Sequence, residues 1–340
     1  MKKIRWCIIG CGGIADRRSI PGMVLDKQNE IVAVMDAEAE IAKAVAQKYG
    51  VKEWFDSDIE MLDTVECDAV YIATPVWCHY SQAMLALKHK RHVFIEKPIT
   101  LTKAEGQKLL DAFKKAGLQL TVGYMMGYHN LHAKTRDIIK NGGLGDINLV
   151  RMQFSCWYPD IPGAWRQKKA LGGGGCIMDL AVHCMELFYN ITGDSIEKYT
   201  GYYTTKTFNY EVEDSAVVTF KSKGGIIGHI DVNFNVPDSA VPSRLEILGT
   251  AGSILAEGTL GQTEGGKLRY IYAPQGDYEA AQARITAGAK TFYGAGGNIY
   301  KKQFAAFNKL VLSGKPCYKN AELALEIQTI CDDIYKNNKF

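Results

Sequence analysis

The chain has 340 residues, 47% hydrophobic and 23% charged, with a formal net charge of +3. That length is too great for one small core and suits two domains. Acidic and basic residues are interspersed, which excludes the concentrated basic face of a nucleic-acid binder, and no apolar run reaches the ~18 residues of a membrane span. Lys2 and Lys3 precede an apolar run as in a signal peptide, but the run is short and Asp16-Arg17-Arg18 follows at once. Nine cysteines, several of them inside apolar runs (Cys7, Cys176, Cys184), suit reduced buried thiols and a cytoplasmic location.

Residues 1–124 alternate. Buried strands are expected at 4–9, 31–35, 69–74, 93–96 and 118–122, and helices at 13–23, 37–49, 79–88 and 102–116. Continuous apolar strands between amphipathic helices mean a parallel sheet covered on both faces. Right-handed crossovers make it a doubly wound α/β domain. The texture changes near residue 125. After a helix at 129–141 come alternating strands at 147–156, 196–205, 215–221, 226–234 and 244–248, with glycine turns at 223–225 and 249–252. These imply a largely antiparallel sheet in an α+β domain over 125–340. A buried helix at 177–192 interrupts the strands, and helices at 299–312 and 321–335 close the chain. The segment 258–297 is glycine-rich and poorly periodic, and no element is assigned to it.

The first strand ends in Gly10-Cys11-Gly12-Gly13-Ile14-Ala15. In a parallel sheet this is a dinucleotide turn: Gly10 for tightness, Gly12 for approach to a pyrophosphate, and Ala15 for helix packing. The helix start adds free N–H groups for phosphate. Asp36 ends the second strand, about 20 residues past Ala15. A carboxylate there accepts from ribose hydroxyls and repels a 2′-phosphate, which favours NAD over NADP. The bland alternative is a glycine turn without a ligand and an aspartate that caps the next helix. Lys97 follows the strand at 93–96 and precedes Pro98. Ligands bind beyond the carboxyl ends of such strands, where a partly desolvated amine exchanges protons with an alcohol.

On the helix at 177–192, Asp179 and His183 stand together on the strip left by two apolar faces. Buried polar groups need partners. These two either satisfy each other or bind a polyol, Asp179 accepting from one hydroxyl and His183 taking the proton of another. Gly172-Gly173-Gly174-Gly175 just before them lets backbone come close to a ligand. Upstream, Trp157, Tyr158, Trp165 and Arg166 offer the aromatic faces and guanidinium fork of a sugar pocket, or interdomain packing. His129 and His132 sit three apart without an acidic or cysteine partner nearby, so no metal site is expected.

Taken together, the GCGGIA turn, Ala73-Thr74-Pro75-Val76-Trp77-Cys78-His79, the HVFIEKP run, the GGGG-CIM-D-LAV-H segment and the GTAG turn resemble the glucose–fructose oxidoreductase / inositol dehydrogenase / rhizopine catabolism family over nearly the whole chain. The resemblance implies an N-terminal Rossmann domain and a C-terminal domain whose open sheet faces a partner in homodimers or homotetramers. It implies a cofactor set of Gly10, Gly12, Gly13, Ile14, Asp36, Thr74, Pro75, His79, Glu96 and Lys97. It implies Lys97, Asp179 and His183 as the catalytic groups. With these, Tyr124, Trp165 and Arg166 complete the expected substrate set, and a cis Lys97–Pro98 bond is suggested. Ala181 stands where the family often has glycine. Gly127-Tyr128 replaces an Arg-Phe pair that shapes the pocket, which leaves the substrate open. The expected function is hydride transfer between NAD and a hydroxyl-bearing carbon of a sugar, sugar acid or polyol. One alternative is an epimerase or eliminase that oxidises transiently with retained NAD; another is a non-catalytic sensor of NAD and sugar.

Overall fold

β1 (Ile4–Ile9) carries Trp6, Ile8 and Ile9 into a dry interior and stops at the glycine turn. In the computed structural model, which describes residues 2–273, 276, 278, 280 and 288–337, this strand is followed by a π-turn (Ala15–Ser19) and α1 (Ile20–Val24). The continuous α-helix expected at 13–23 is thus split. Next come β2 (Asn29–Met35), α2 (Ala39–Tyr49), β3 (Glu53–Phe55), α3 (Asp58–Thr64) and β4 (Ala69–Ile72). They are followed by α4 (Val76–Lys88), β5 (His92–Glu96), α5 (Lys103–Ala116) and β6 (Leu120–Gly123). β3 and α3 were not anticipated, because elements this short show no period. All neighbouring strands run parallel in the order β3-β2-β1-β4-β5-β6. The strand order reverses at β1/β4, the switch point where open α/β sheets bind ligands.

A 3₁₀ turn (Met126–Tyr128) leads to α6 (Asn130–Lys140), β7 (Ile147–Ser155), a second 3₁₀ turn (Trp165–Gln167) and α7 (Lys169–Gly172). A π-turn (Ile177–Ala181) then opens α8 (Val182–Thr192). The strands β8 (Ile196–Thr204), β9 (Ser215–Ser222), β10 (Ile227–Asn233), β11 (Arg244–Gly249), β12 (Gly252–Glu257), β13 (Lys267–Tyr272) and β14 (Gly288–Tyr293) follow. The chain closes with α9 (Ile299–Ser313) and α10 (Lys319–Asn337). Among the described residues this second sheet is antiparallel except for the pair β7–β10. β13 and β14 fall in the segment 258–297. β14 is exposed along most of its length, so it shows no alternation to read. Residues 274, 275, 277, 279 and 281–287 of that segment lie outside the described residues.

Two compact units result. The first holds the chain up to Met125 with residues 168–173 and 298–332; the second holds 126–167, 174–297 and the chain from Asp333. The expected division into 1–124 and 125–340 therefore differs for the closing helices. α9 brings Phe304 and Phe307 onto Trp6, with ring centroids 5.5 and 5.0 Å away, and onto Phe94 at 4.7 and 5.6 Å. Each buried phenylalanine contributes about 1.5–3 kcal/mol. Periodicity shows that α9 has an apolar face but not which sheet it covers.

In the second unit, buried and part-exposed residues alternate along β9 and β10. Phe220 of β9 meets Phe188 of α8 edge to face at 4.7 Å. The other face carries polar groups such as His229, Asp231 and the Arg151–Glu246 ion pair. By composition the stretch Lys169–Thr192 is long and apolar enough to cross a membrane, yet its most apolar 18-residue window is 83% buried as protein interior.

Candidate active site

The glycine turn is shaped by its neighbours. Gly10 has φ +79°, and a Cβ there would lie 2.7 Å from Thr74 Cγ2 and 2.8 Å from Thr74 N, so no side chain fits. The amides of Gly10 and Cys11 both donate to the Met35 carbonyl, at 2.8 and 3.0 Å. Gly12 N donates to Asp36 Oδ2 at 3.1 Å, and Glu38 N donates to Asp36 Oδ1 at 3.2 Å. A carboxylate offers about four acceptor positions, so Asp36 keeps capacity for ribose hydroxyls while it braces the loop. Gly13 has φ +49°, and nothing stands within 4 Å of where its Cβ would be. Ile14 beside it is half-buried. A braced glycine loop with an open outer side and an acid at the end of β2 fits the adenosine half of a dinucleotide.

Across the switch point, Thr74 Oγ1 donates to Gln82 Oε1 at 2.6 Å. Pro75 provides the N-cap of α4. His79 is 1% exposed, and its ring nitrogens face two carbonyls: Nδ1 lies 2.9 Å from Pro98 O and Nε2 3.0 Å from Thr74 O. His79 thus pins the end of β4 to the Lys97–Pro98 segment. Glu96 Oε1 accepts from Tyr71 Oη at 2.7 Å, and that hydroxyl also meets Ser19 Oγ at 2.7 Å. Burial, reinforced by Glu96, holds the Tyr71 phenol far above its ordinary value. Lys97 is half-buried at the carboxyl end of β5, and the Lys97–Pro98 bond is cis. Tyr124, just past β6, is 3% exposed, so its side chain is packed away.

In the second unit, Asp179 lies within the π-turn, where Val182 N donates to Ile177 O five residues back. The regular helix expected at 177–192 is therefore α-helical only from Val182. Single π-turns inside helices are frequent at functional sites. Asp179 Oδ1 stands 3.7 Å from Arg166 Nε, and the Arg166 guanidinium lies 4.2 Å from the centre of the Trp165 ring. Burial raises the Tyr158 phenol, the Arg166 charge opposes that rise and Asp179 adds to it. Asp179, Arg166, Trp165 and Tyr158 thus form one cluster, with His183, 5% exposed, in the first turn of α8. Trp157 belongs elsewhere: its ring packs on Phe208 at 5.3 Å, and its amide donates to Asp238.

The glycine run before Asp179 brings backbone close to protein at Gly174 and Gly175. Gly173 (φ +79°) ends α7. A Cβ on Gly174 would strike Tyr335 Oη, and one on Gly175 would strike the Glu213 carbonyl. Glu213, 4% exposed, accepts from Gly175 N at 3.0 Å, Ile177 N at 2.9 Å and Tyr335 Oη at 2.7 Å. It therefore anchors the start of the turn that carries Asp179. Burial nevertheless raises its carboxyl above the ordinary range. Sequence reasoning missed Glu213, since an acid in a polar run before a strand reads as solvated. It also missed Glu186, which lies three residues past His183 at helical spacing and is 5% exposed. His129 and His132 have structural roles. His129 Nδ1 accepts from Leu131 N at 3.1 Å as the cap of α6. The His132 ring bridges Met126 O and Thr259 Oγ1, and burial pushes it down to about 3.

The sequence pattern described as "Oxidoreductase family, NAD-binding Rossmann fold" matches residues 4–124, and that of the "GFO/IDH/MocA C-terminal domain" matches residues 132–255. The chain belongs to the GFO/IDH/MocA oxidoreductase family, with an NAD(P)-binding Rossmann unit and a mixed, mostly antiparallel second sheet. Its characterised relatives are sugar oxidoreductases. It is 26% identical to the 1,5-anhydro-D-fructose reductase of Ensifer adhaerens over 259 residues, 76% of this chain and 77% of that protein. It is 27% identical to the D-glucoside 3-dehydrogenase of Escherichia coli strain K12 over 248 residues, 68% of this chain and 70% of that one. Its fold matches the crystal structure of an aldose–aldose oxidoreductase from Caulobacter crescentus with a TM-score of 0.86 at 21% identity, covering 98% of this chain and 97% of that one.

Proposed function

We propose that this oxidoreductase uses NAD and transfers hydride to or from a hydroxyl-bearing carbon of a sugar, sugar acid or polyol. The observation that carries the reading is the cluster on the second unit. A carboxylate and an imidazole one turn apart on a buried helix are joined by an arginine that lies over a tryptophan ring. Carbohydrates are held by this combination: planar apolar faces for C–H groups and charged acceptors and donors for hydroxyls. The relatives named above, one a reductase and one a dehydrogenase of sugars, support the same class.

Bound NAD supplies the hydride acceptor at its nicotinamide C4. The chain's own residues do the rest. Asp36 holds the ribose of the adenosine half and disfavours a 2′-phosphate. Asp179 accepts a hydrogen bond from a substrate hydroxyl and orients the sugar with Arg166. His183 or Lys97 takes the proton of the reacting hydroxyl as the carbon loses hydride. In the reverse direction the same group returns that proton.

The test is a screen of sugars, inositols and sugar acids for NADH formation, followed by Lys97→Met on the best substrate. A loss of about 10²–10⁴-fold in kcat with NAD affinity intact is expected if a general acid–base group has been removed. Full turnover by a folded Lys97→Met protein refutes the role given to the lysine.

A further inference from the structure

Glu186 is the one carboxylate on the polar strip of α8 that the reading above does not use. It follows Asp179 by seven residues and His183 by three, which puts all three on one side of the helix. It is 5% exposed. Its Oε1 receives a long bond, 3.4 Å, from Asn190 Nδ2, and its Oε2 has no hydrogen-bond partner among the described residues. A half-satisfied carboxyl in a protein interior is costly, and an apolar side chain would suit the packing better.

The surroundings are specific. Arg136 of α6 donates to Gly127 O at 2.8 Å and to the Asn190 side chain, and its charge acts on Glu186. Tyr128, in the 3₁₀ turn, is raised to about 12 by burial and then by Glu186. A Cβ on Gly127 would collide with Asn190, so the Gly127-Tyr128 pair is what makes room for this arrangement. The other elements packed on α8 include β7, with buried Val150 and Met152, β9 through Phe220, and the π-turn, which carries Asp179. Glu186 is therefore faced by Arg136, Tyr128 and Asn190, and His183 lies three residues back on its own helix.

We propose that Glu186 is a positioning residue for His183: a buried carboxyl whose charge, from the next turn of the same helix, sets how strongly the imidazole holds the substrate's proton. This rests on the reading of His183 as a proton acceptor. No proton need pass to Glu186 itself. Neighbours three apart on a helix lie about 5–6 Å apart at Cβ, close enough for a charge in a desolvated setting to act. Burial pushes the Glu186 carboxyl up to about 8, so its charge changes within a range where enzymes are assayed. Below that pH it is neutral and His183 is the weaker base. Above it the carboxylate favours the imidazolium and strengthens the base.

The experiment compares wild type, Glu186→Gln and Glu186→Asp in two readouts. In kinetics, wild-type kcat for carbohydrate oxidation gains a second rise as pH passes about 8. Glu186→Gln loses that rise and runs about three- to tenfold slower at about pH 9, with KM moved less than about twofold; Glu186→Asp, which keeps the charge, restores the rise. In NMR of isotope-labelled histidine, with His183 assigned from a His183→Asn sample, the wild-type His183 resonances shift in a further step as pH passes about 8; the step is absent in Glu186→Gln and returns in Glu186→Asp. Superimposable pH–rate profiles, with no His183 step near pH 8 in any of the three proteins, overturn the proposal. A wild type that oxidises no carbohydrate overturns the functional reading instead, and the histidine titration then decides the role of Glu186 alone.

Discussion

Removing the Glu213 side chain is the most direct test of how the Asp179-bearing turn is held. In Glu213→Ala, the amides of Gly175 and Ile177 and the hydroxyl of Tyr335 lose their acceptor together. The site is buried, so water enters it only after rearrangement. Leaving a buried donor unpaired costs about 1–3 kcal/mol. Three such donors, partly rescued by water, give a loss of about 3–5 kcal/mol. Glu213→Gln keeps the shape and one acceptor oxygen but turns an amide donor toward a backbone N–H, for a loss of about 2 kcal/mol. Tyr335→Phe removes one bond and costs about 1 kcal/mol alone. Combined with Glu213→Ala it costs less than the sum, because its partner is already gone. That coupling is about 1 kcal/mol in a double-mutant cycle. Urea denaturation followed by circular dichroism measures wild type and the four variants, and kcat of the folded fraction reports on the turn. If Glu213→Ala unfolds within about 0.5 kcal/mol of wild type, or the two substitutions are additive, the anchoring argument is wrong.

Two further outcomes follow from the same geometry. Burial keeps the Glu186 carboxyl protonated up to about pH 8 in the fold, while the unfolded chain ionises near the ordinary value. The fold thus binds that proton more tightly, and wild-type stability falls as pH rises from about 5 to about 8. Relative to wild type, Glu186→Gln gains about 2–4 kcal/mol over that window, read from urea midpoints at its two ends; a gap that does not widen with pH contradicts the buried-acid assignment. Such a variant would be the more stable and, on the inference above, the slower enzyme at high pH. For Asp36→Ser, loss of the carboxylate lowers NAD affinity about tenfold and relieves repulsion of a 2′-phosphate, so the NAD/NADP preference narrows in fluorescence titrations; an unchanged ratio refutes the role of Asp36.

The residues by themselves determined most of the parallel sheet of the first unit. Its five main strands are continuous apolar runs, bounded by Gly10, Pro75 and Pro98, and a parallel sheet covered on both faces has no other pattern. The glycine turn and Asp36 were legible because their chemistry is local: backbone conformation at Gly10 and a carboxylate at a strand end. The spacing of Asp179 and His183 was legible for the same reason. What only the tertiary structure decided depends on contacts distant in sequence. The four-glycine run is shaped by Glu213 and Tyr335, 38 and 160 residues away from Gly175. Arg166 reaches Asp179 across a loop, and Phe304 and Phe307 of α9 complete the core around Trp6. A residue's periodicity states that it needs a partner; which partner it finds is set by the packing of the whole chain, and no local signal encodes that.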